Sequence, residues 1–172
     1  MTRLIATFGY VGLLRPAPGT WGSAIAVALA WVIHAFGGFP ALALATVAVF
    51  FIGWWATAAE TRGTDNHDPS EIVIDEVVGQ WIALWPLSAG LWYIGADAWV
   101  FPYPGWLTAF IMFRLFDIWK PGPVGWVDQR NDAFGVMFDD VIAGVLAVLV
   151  VFVAAALAYW GAVIWEYLAW IT

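Results

Sequence analysis

The chain has 172 residues, of which 63% are hydrophobic, 11% charged and none cysteine. One water-soluble core of this size cannot hide so much apolar surface, so the expected class is an all-α, polytopic integral membrane bundle forming a single domain over residues 1–172. The missing thiols exclude disulfides, thiolate metal sites and cysteine nucleophiles.

The net charge of −7 is concentrated in two segments. Glu60, Asp65, Asp68, Glu71, Asp75 and Glu76 stand against Arg62 alone. Further on, Asp117, Asp128, Asp132, Asp139 and Asp140 stand against Arg114, Lys120 and Arg130. Elsewhere Arg3 and Arg15 balance Asp97 and Glu166, so dispersed surface solvation is a poor account of the charge.

In chain order, residues 1–23 are mixed, and no short apolar core with a small-residue cleavage site marks a signal peptide. The Pro- and Gly-punctuated stretch from Arg15 to Ser23 predicts a turn, with Thr20 or Ser23 capping the helix that follows. That helix is expected to end near Phe36, broken by Gly37-Gly38-Phe39-Pro40, and a second runs from Ala41 to Ala59. After a polar stretch, Asp68-Pro69-Ser70-Glu71 reads as a helix start, with Asp as N-cap and Pro at the first position. The third helix should reach about Gly95 with a kink at Pro86. The fourth, Trp106 to Trp119, is short for a full span. A loop covers Lys120–Asn131, and a long apolar helix runs from about Gly135 to Tyr159 or beyond, ending in a Trp-rich tail. About five membrane helices result, some short or half-spanning. The 14 tryptophans suit the membrane–water interface.

If helices one to four each cross once, the N-terminus and both charged segments fall on one face. All six Lys and Arg lie there, which assigns that face to the cytoplasm. Two segments distant in sequence can then build one site.

Within the third helix, Glu71 and Asp75 are one turn apart and share a face, with Glu76 about 100° further round. Asp75-Glu76-Val-Val-Gly79 is echoed by Asp139-Asp140-Val-Ile-Ala-Gly144. In each, an acidic pair near a helix start precedes a glycine that lets another helix approach closely. Carboxylates gathered in this way need a counter-charge, and the cations are too few. An all-oxygen ligand set suits Mg²⁺, with Mn²⁺ as a substitute. Such an ion would also let an acidic pocket accept phosphate, with Lys120 and Arg114 clamping its oxygens. The amides of Gly19–Ser23 are a further anion site if the helix start faces the pocket. Asp65, Asp68 and Asp132 read as solvated, His34 as a packed residue and His67 as a solvated loop residue.

The pieces Pro18-Gly-Thr20-Trp-Gly-Ser23, Glu71-Ile-Val-Ile-Asp75-Glu76-Val-Val-Gly79, Phe113-Arg114-Leu-Phe-Asp117-Ile-Trp-Lys120-Pro-Gly-Pro123 and Met137-Phe-Asp139-Asp140-Val-Ile-Ala-Gly144 occur in one order. Together they resemble the bacterial phosphatidylglycerophosphatase A family over nearly the whole chain. The stretch Asn131–Gly135 is less glycine-rich than the family pattern. The resemblance implies a multi-pass, Mg²⁺-dependent phosphatase of the bacterial inner membrane with its active site on the cytoplasmic face. Its partner would be a phospholipid, phosphatidylglycerophosphate, and not a nucleic acid; the oligomeric state stays open. The implied acids are Glu71, Asp75, Glu76, Asp117, Asp128, Asp139 and Asp140.

The expected ligand set is Glu71, Asp75, Asp128, Asp139 and Asp140. Catalysis would involve Asp75, Glu76, Asp117, Lys120 and Asp139; substrate binding would involve Thr20, Ser23, Arg114, Lys120 and Arg130. Metal-activated water is favoured over an Asp nucleophile, with Glu76 or Asp117 as base. The rival functions are a divalent-cation transporter, which expects acids near mid-membrane, a CDP-alcohol phosphotransferase, whose long Asp/Gly/Arg motif is missing, and a non-catalytic scaffold.

Overall fold

The computed structural model describes residues 1–64, 66 and 68–171; Asp65, His67 and the Glu166 side chain lie outside the described residues. Among the described residues every regular element is a helix. They are α1 (Thr2–Ala6), α2 (Pro18–Glu60), α3 (Ile74–Tyr93), α4 (Gly105–Trp119), α5 (Pro123–Asp128) and α6 (Ala133–Ile171), with a 3-10 turn at Val11–Leu13.

The expected break at Gly37–Pro40 is present. Gly38 has φ 63° and ψ −161°, a backbone state that favours glycine. It folds α2 into a hairpin. Gly19 and Gly53, on opposite arms, lie against Glu76 and Ile74 at the start of α3, whereas Gly38 lies against Trp92 near its end. Polar bonds tie each arm to α3: His34 Nδ1 is 2.7 Å from Ser88 Oγ in a buried contact on one side, and the Trp85 indole N–H donates to Thr46 Oγ1 at 3.2 Å, half-buried, on the other. Pro86 is accommodated inside α3.

The apolar core runs between the rods on small residues, among them Ala26, Ala30, Ala83, Ala109, Ala143 and Ala147. Large apolar side chains also cover the outside, including Leu44, Phe51, Leu149, Phe152 and Val153. So many exposed apolar side chains suit contact with lipid. Among the described residues two elements, Pro18–Glu60 and Ala133–Ala158, are long and apolar enough to cross a membrane.

The start of the third helix needs correction. Helix α3 begins at Ile74 rather than at Asp68. Pro69 instead opens a turn closed by Ile72 N–H on its carbonyl at 2.8 Å. The Val73 N–H is taken by the Ala6 carbonyl at 3.0 Å, so it cannot serve a helix, and three β-branched residues in a row (Ile72–Ile74) discourage one there. Glu71 therefore does not share a helical face with Asp75. Two short helices, α1 and α5, were also not anticipated.

The paired glycines behave as expected. A Cβ on Gly144 would lie 2.5 Å from the Gly79 carbonyl oxygen, and one on Gly79 would lie 2.6 Å from the Asp140 carbonyl oxygen. Each helix uses its glycine to admit the backbone of the other. Because backbone cannot yield as a side chain can, Gly144→Ala is expected to lower stability by about 1–3 kcal/mol. Thermal unfolding in detergent checks this.

Candidate active site

The N-terminus of α2, the start of α3, the end of α4 and the first turns of α6 meet at one end of the bundle. They enclose a pocket of about 310 Å³ lined by Gly19, Thr20, Asp68, Asp75, Glu76, Arg114, Asp117, Lys120, Asp139 and Asp140. Both charged segments of the sequence thus reach one site, with six carboxylates against two cations in the lining. Asp75, Asp139 and Asp140 are 7%, 5% and 2% exposed. Carboxylates this far from water are costly without a counter-charge.

Three of these acids converge. One carboxylate oxygen each from Asp75, Glu76 and Asp140 lies within 4.8 Å of the others. The two acidic pairs have the same local geometry, for Asp75 Oδ1 accepts the Glu76 N–H at 3.1 Å and Asp139 Oδ1 accepts the Asp140 N–H at 2.9 Å. Asp139 nevertheless stands apart from the trio. Its Oδ2 accepts from Lys120 Nζ at 2.9 Å, so both of its oxygens are engaged. Glu76 rather than Asp139 is the third member of the converging group, and its Oε2 is buried with no hydrogen-bond partner among the described residues.

The cations flank the trio. Arg114 Nη1 is 2.6 Å from Asp117 Oδ2 and 3.8 Å from Glu76 Oε1, and it donates to Ser23 Oγ at 3.4 Å. Gly19 makes room for this contact: a Cβ there would fall 2.1 Å from Glu76 Oε1 and 3.1 Å from Arg114 Nη1. Lys120 is gripped between Asp128 and Asp139. Burial pulls its pKa down, but the hydrogen bonds and charges of those two acids more than offset this and hold it above its ordinary value. Lys120 therefore stays cationic at physiological pH. The N–H groups of Gly19 and Thr20, in the first turn of α2, border the same pocket and have no intrahelical acceptor. They add a partial positive charge.

Three expected site residues fall elsewhere. Glu71 precedes α3 and pairs with Arg3 at 3.3 Å, away from the trio. Asp128 reaches the site only through Lys120. Arg130 faces outward, paired with Asp132 at 2.8 Å and lying over the Phe134 ring at 5.3 Å. Asp132 itself is not merely solvated, because its Oδ1 accepts the Gly135 N–H at 2.7 Å and caps α6.

A family model described as phosphatidylglycerophosphatase A matches residues 4–155. The chain belongs to the phosphatidylglycerophosphatase A family. It is 37% identical over 150 residues to the phosphatidylglycerophosphatase A of Haemophilus influenzae, covering 87% of this chain and 83% of that protein. Identity to the Escherichia coli phosphatidylglycerophosphatase A is 32% over 138 residues, covering 79% and 73%. A putative phosphatidylinositol-3-phosphatase of Bacteroides thetaiotaomicron is 34% identical over 158 residues, covering 88% and 91%. No solved structure matches the chain. Membership of the phosphatidylglycerophosphatase A family makes the protein an enzyme, a phosphatase.

Two measurements follow from this geometry. Lys120 sits at the C-cap of α4 with φ 49° and ψ 54°, a left-handed state that costs a non-glycine residue roughly 1–2 kcal/mol. Lys120→Gly and Lys120→Ala remove the same ammonium, yet the glycine variant should be the more stable by about 1 kcal/mol. Both should be inactive in phosphate release. At Asp132, hydrogen bonds from Arg130 and from the Gly135 N–H hold the carboxyl below its usual range. A depressed carboxylate stabilises above its unfolded-state pKa, and that contribution is lost as pH falls through the folded-state one. Asp132→Ala should cost about 1 kcal/mol near neutral pH, with turnover retained and a flatter acid limb of melting temperature against pH.

Proposed function

We propose that this protein is a magnesium-dependent phosphatase that removes the terminal phosphomonoester of phosphatidylglycerophosphate during phospholipid biosynthesis, leaving phosphatidylglycerol and inorganic phosphate. The observation that carries this reading is the convergence of Asp75, Glu76 and Asp140 within 4.8 Å beside Lys120, Arg114 and the amides of α2. A metal fits there. The donors are all oxygens, they outnumber the cations around them, and Glu76 Oε2 is a buried acceptor with no hydrogen-bond partner among the described residues. Such a set suits Mg²⁺ or Mn²⁺ rather than a softer ion.

Asp75, Glu76 and Asp140 would hold the ion. When bound, it supplies a Lewis acid that polarises phosphate and lowers the pKa of a nucleophilic water. The chain's own groups do the rest. Lys120 and Arg114 bind the phosphate oxygens and offset the charge that grows on them, and the Gly19 and Thr20 amides add neutral donors. Asp139 and Asp128 position Lys120 for this. Asp117 takes the proton of the attacking water as the new P–O bond forms and the bond to the lipid glycerol oxygen breaks; the departing alkoxide needs that proton back. Asp117 lines the pocket beside Arg114, which fixes its carboxylate.

The five rods suit a multi-pass bundle of the bacterial inner membrane, with the two arms of α2, then α3, α4 and α6 each passing from one end to the other. The end that carries all six Lys and Arg would face the cytoplasm. Acyl chains stay in the bilayer while the head group enters a pocket at the bundle's end. That position, together with the family, leaves the cation-transporter and scaffold readings without support.

The test is phosphate release from phosphatidylglycerophosphate by the purified protein. Turnover should need Mg²⁺, stop with chelator, and fall at least about 100-fold in Asp75→Asn and Asp140→Asn. Metal-independent turnover, or wild-type rates in both variants, would sink the proposal. Phosphatidylinositol 3-phosphate belongs in the same assay because of the Bacteroides relative, and preference for it would change the substrate while keeping the site.

A further inference from the structure

Gln80 has no place in the site as described so far. It is fully buried, and neither its amide nitrogen nor its amide oxygen has a hydrogen-bond partner among the described residues. It follows Glu76 by four residues in α3, so it shares the helical face that Glu76 turns towards Arg114 and the start of α2. Among the described residues, the other buried side-chain atoms without partners are Glu76 Oε2 and Arg114 Nε. These orphaned atoms belong to three residues, of which Glu76 and Arg114 lie 3.8 Å apart and Gln80 stands one helical turn beyond Glu76.

A buried amide without partners destabilises a fold, and a leucine or methionine of similar size at this position would remove that cost. A polar seat with several unmatched donors and acceptors has the composition that holds an internal water. We propose that Gln80, Arg114 and Glu76 enclose such a water, which fixes the second oxygen of Glu76 and so makes Gln80 a positioning residue for the metal-binding trio. The Gln80 Nε2–H and Arg114 Nε–H donate to the water, and the water donates to Glu76 Oε2. Partners of this kind around a metal's own ligands commonly change affinity ten- to a hundredfold when removed.

The inference rests on the metal reading given above, and the test separates the two. The whole protein in lipid nanodiscs is stripped of metal and titrated with Mn²⁺, followed by electron paramagnetic resonance. Melting temperature and the Mg²⁺ dependence of turnover are recorded alongside. Gln80→Met should bind Mn²⁺ about tenfold more weakly and need correspondingly more Mg²⁺ for half-maximal turnover. Its melting temperature should be unchanged or raised, because burying the amide, whose oxygen the water leaves unmatched, costs more than its one bond to the water returns. A residue that only packs would lower stability and leave Mn²⁺ affinity alone. Unaltered Mn²⁺ affinity in a folded Gln80→Met protein overturns the inference, although the site stands. If the wild type binds no Mn²⁺, the metal reading falls and takes the inference with it. Gln80→Leu serves if the methionine variant does not fold, and failure of both would make Gln80 structural and overturn the assignment.

Discussion

The structure depends on keeping like charges together at the end of an apolar bundle. Asp75 and Glu76 come from one helix, Asp139 and Asp140 from another, and the two backbones touch through Gly79 and Gly144. Without that approach the acids would belong to separate surfaces. With it, three carboxylates share one buried space, a cluster that could hold a cation and that is costly to bury without a counter-charge.

Everything else at this end manages the resulting charge. Lys120 is held by two acids in a backbone state that a lysine does not choose, and it is thereby pointed at the pocket. Arg114 reaches Asp117, Glu76 and Ser23 and so links α4 to α3 and α2. The N-terminal segment reinforces the loop that leads into Asp75, through the Ala6–Val73 bond, the Arg3–Glu71 pair and the close seat of Gly12 on the Glu71 carbonyl. Glu71, read from sequence as a ligand, is part of this bracing.

Much of this was legible beforehand because the signals were local and strong. Apolar runs broken at Gly37–Pro40 and again between Gly95 and Trp106 mark the rods, and the repeated acid-acid-glycine pattern marks the helix pair that carries the site. The errors came where a non-local bond decided. The Asp68-Pro69 helix start looks sound in isolation, but the Ala6 carbonyl claims the Val73 N–H and delays α3 by several residues. Arg130 reads as a spare phosphate contact, but it pairs with Asp132, the residue that caps α6. That Glu76, and not Asp139, converges with Asp75 and Asp140 turns on which side chain Lys120 reaches, and spacing along the chain carries no information about that. Gln80 gave no sequence signal at all, since a single amide in an apolar helix looks like tolerated polarity.

The hairpin at Gly38 bears on how the chain enters a bilayer. Its tip and both arms from Trp31 to Ala59 contain no Asp, Glu, Lys or Arg. The turn joining α3 to α4 carries one ionisable acid, Asp97. Hairpins of that make-up suit an apolar surrounding, where each charge is costly and a lone carboxylate has to be accommodated. The charged residues that line the pocket lie at the other end of the bundle from the Gly38 tip, so the chain keeps nearly all its charge out of its apolar length.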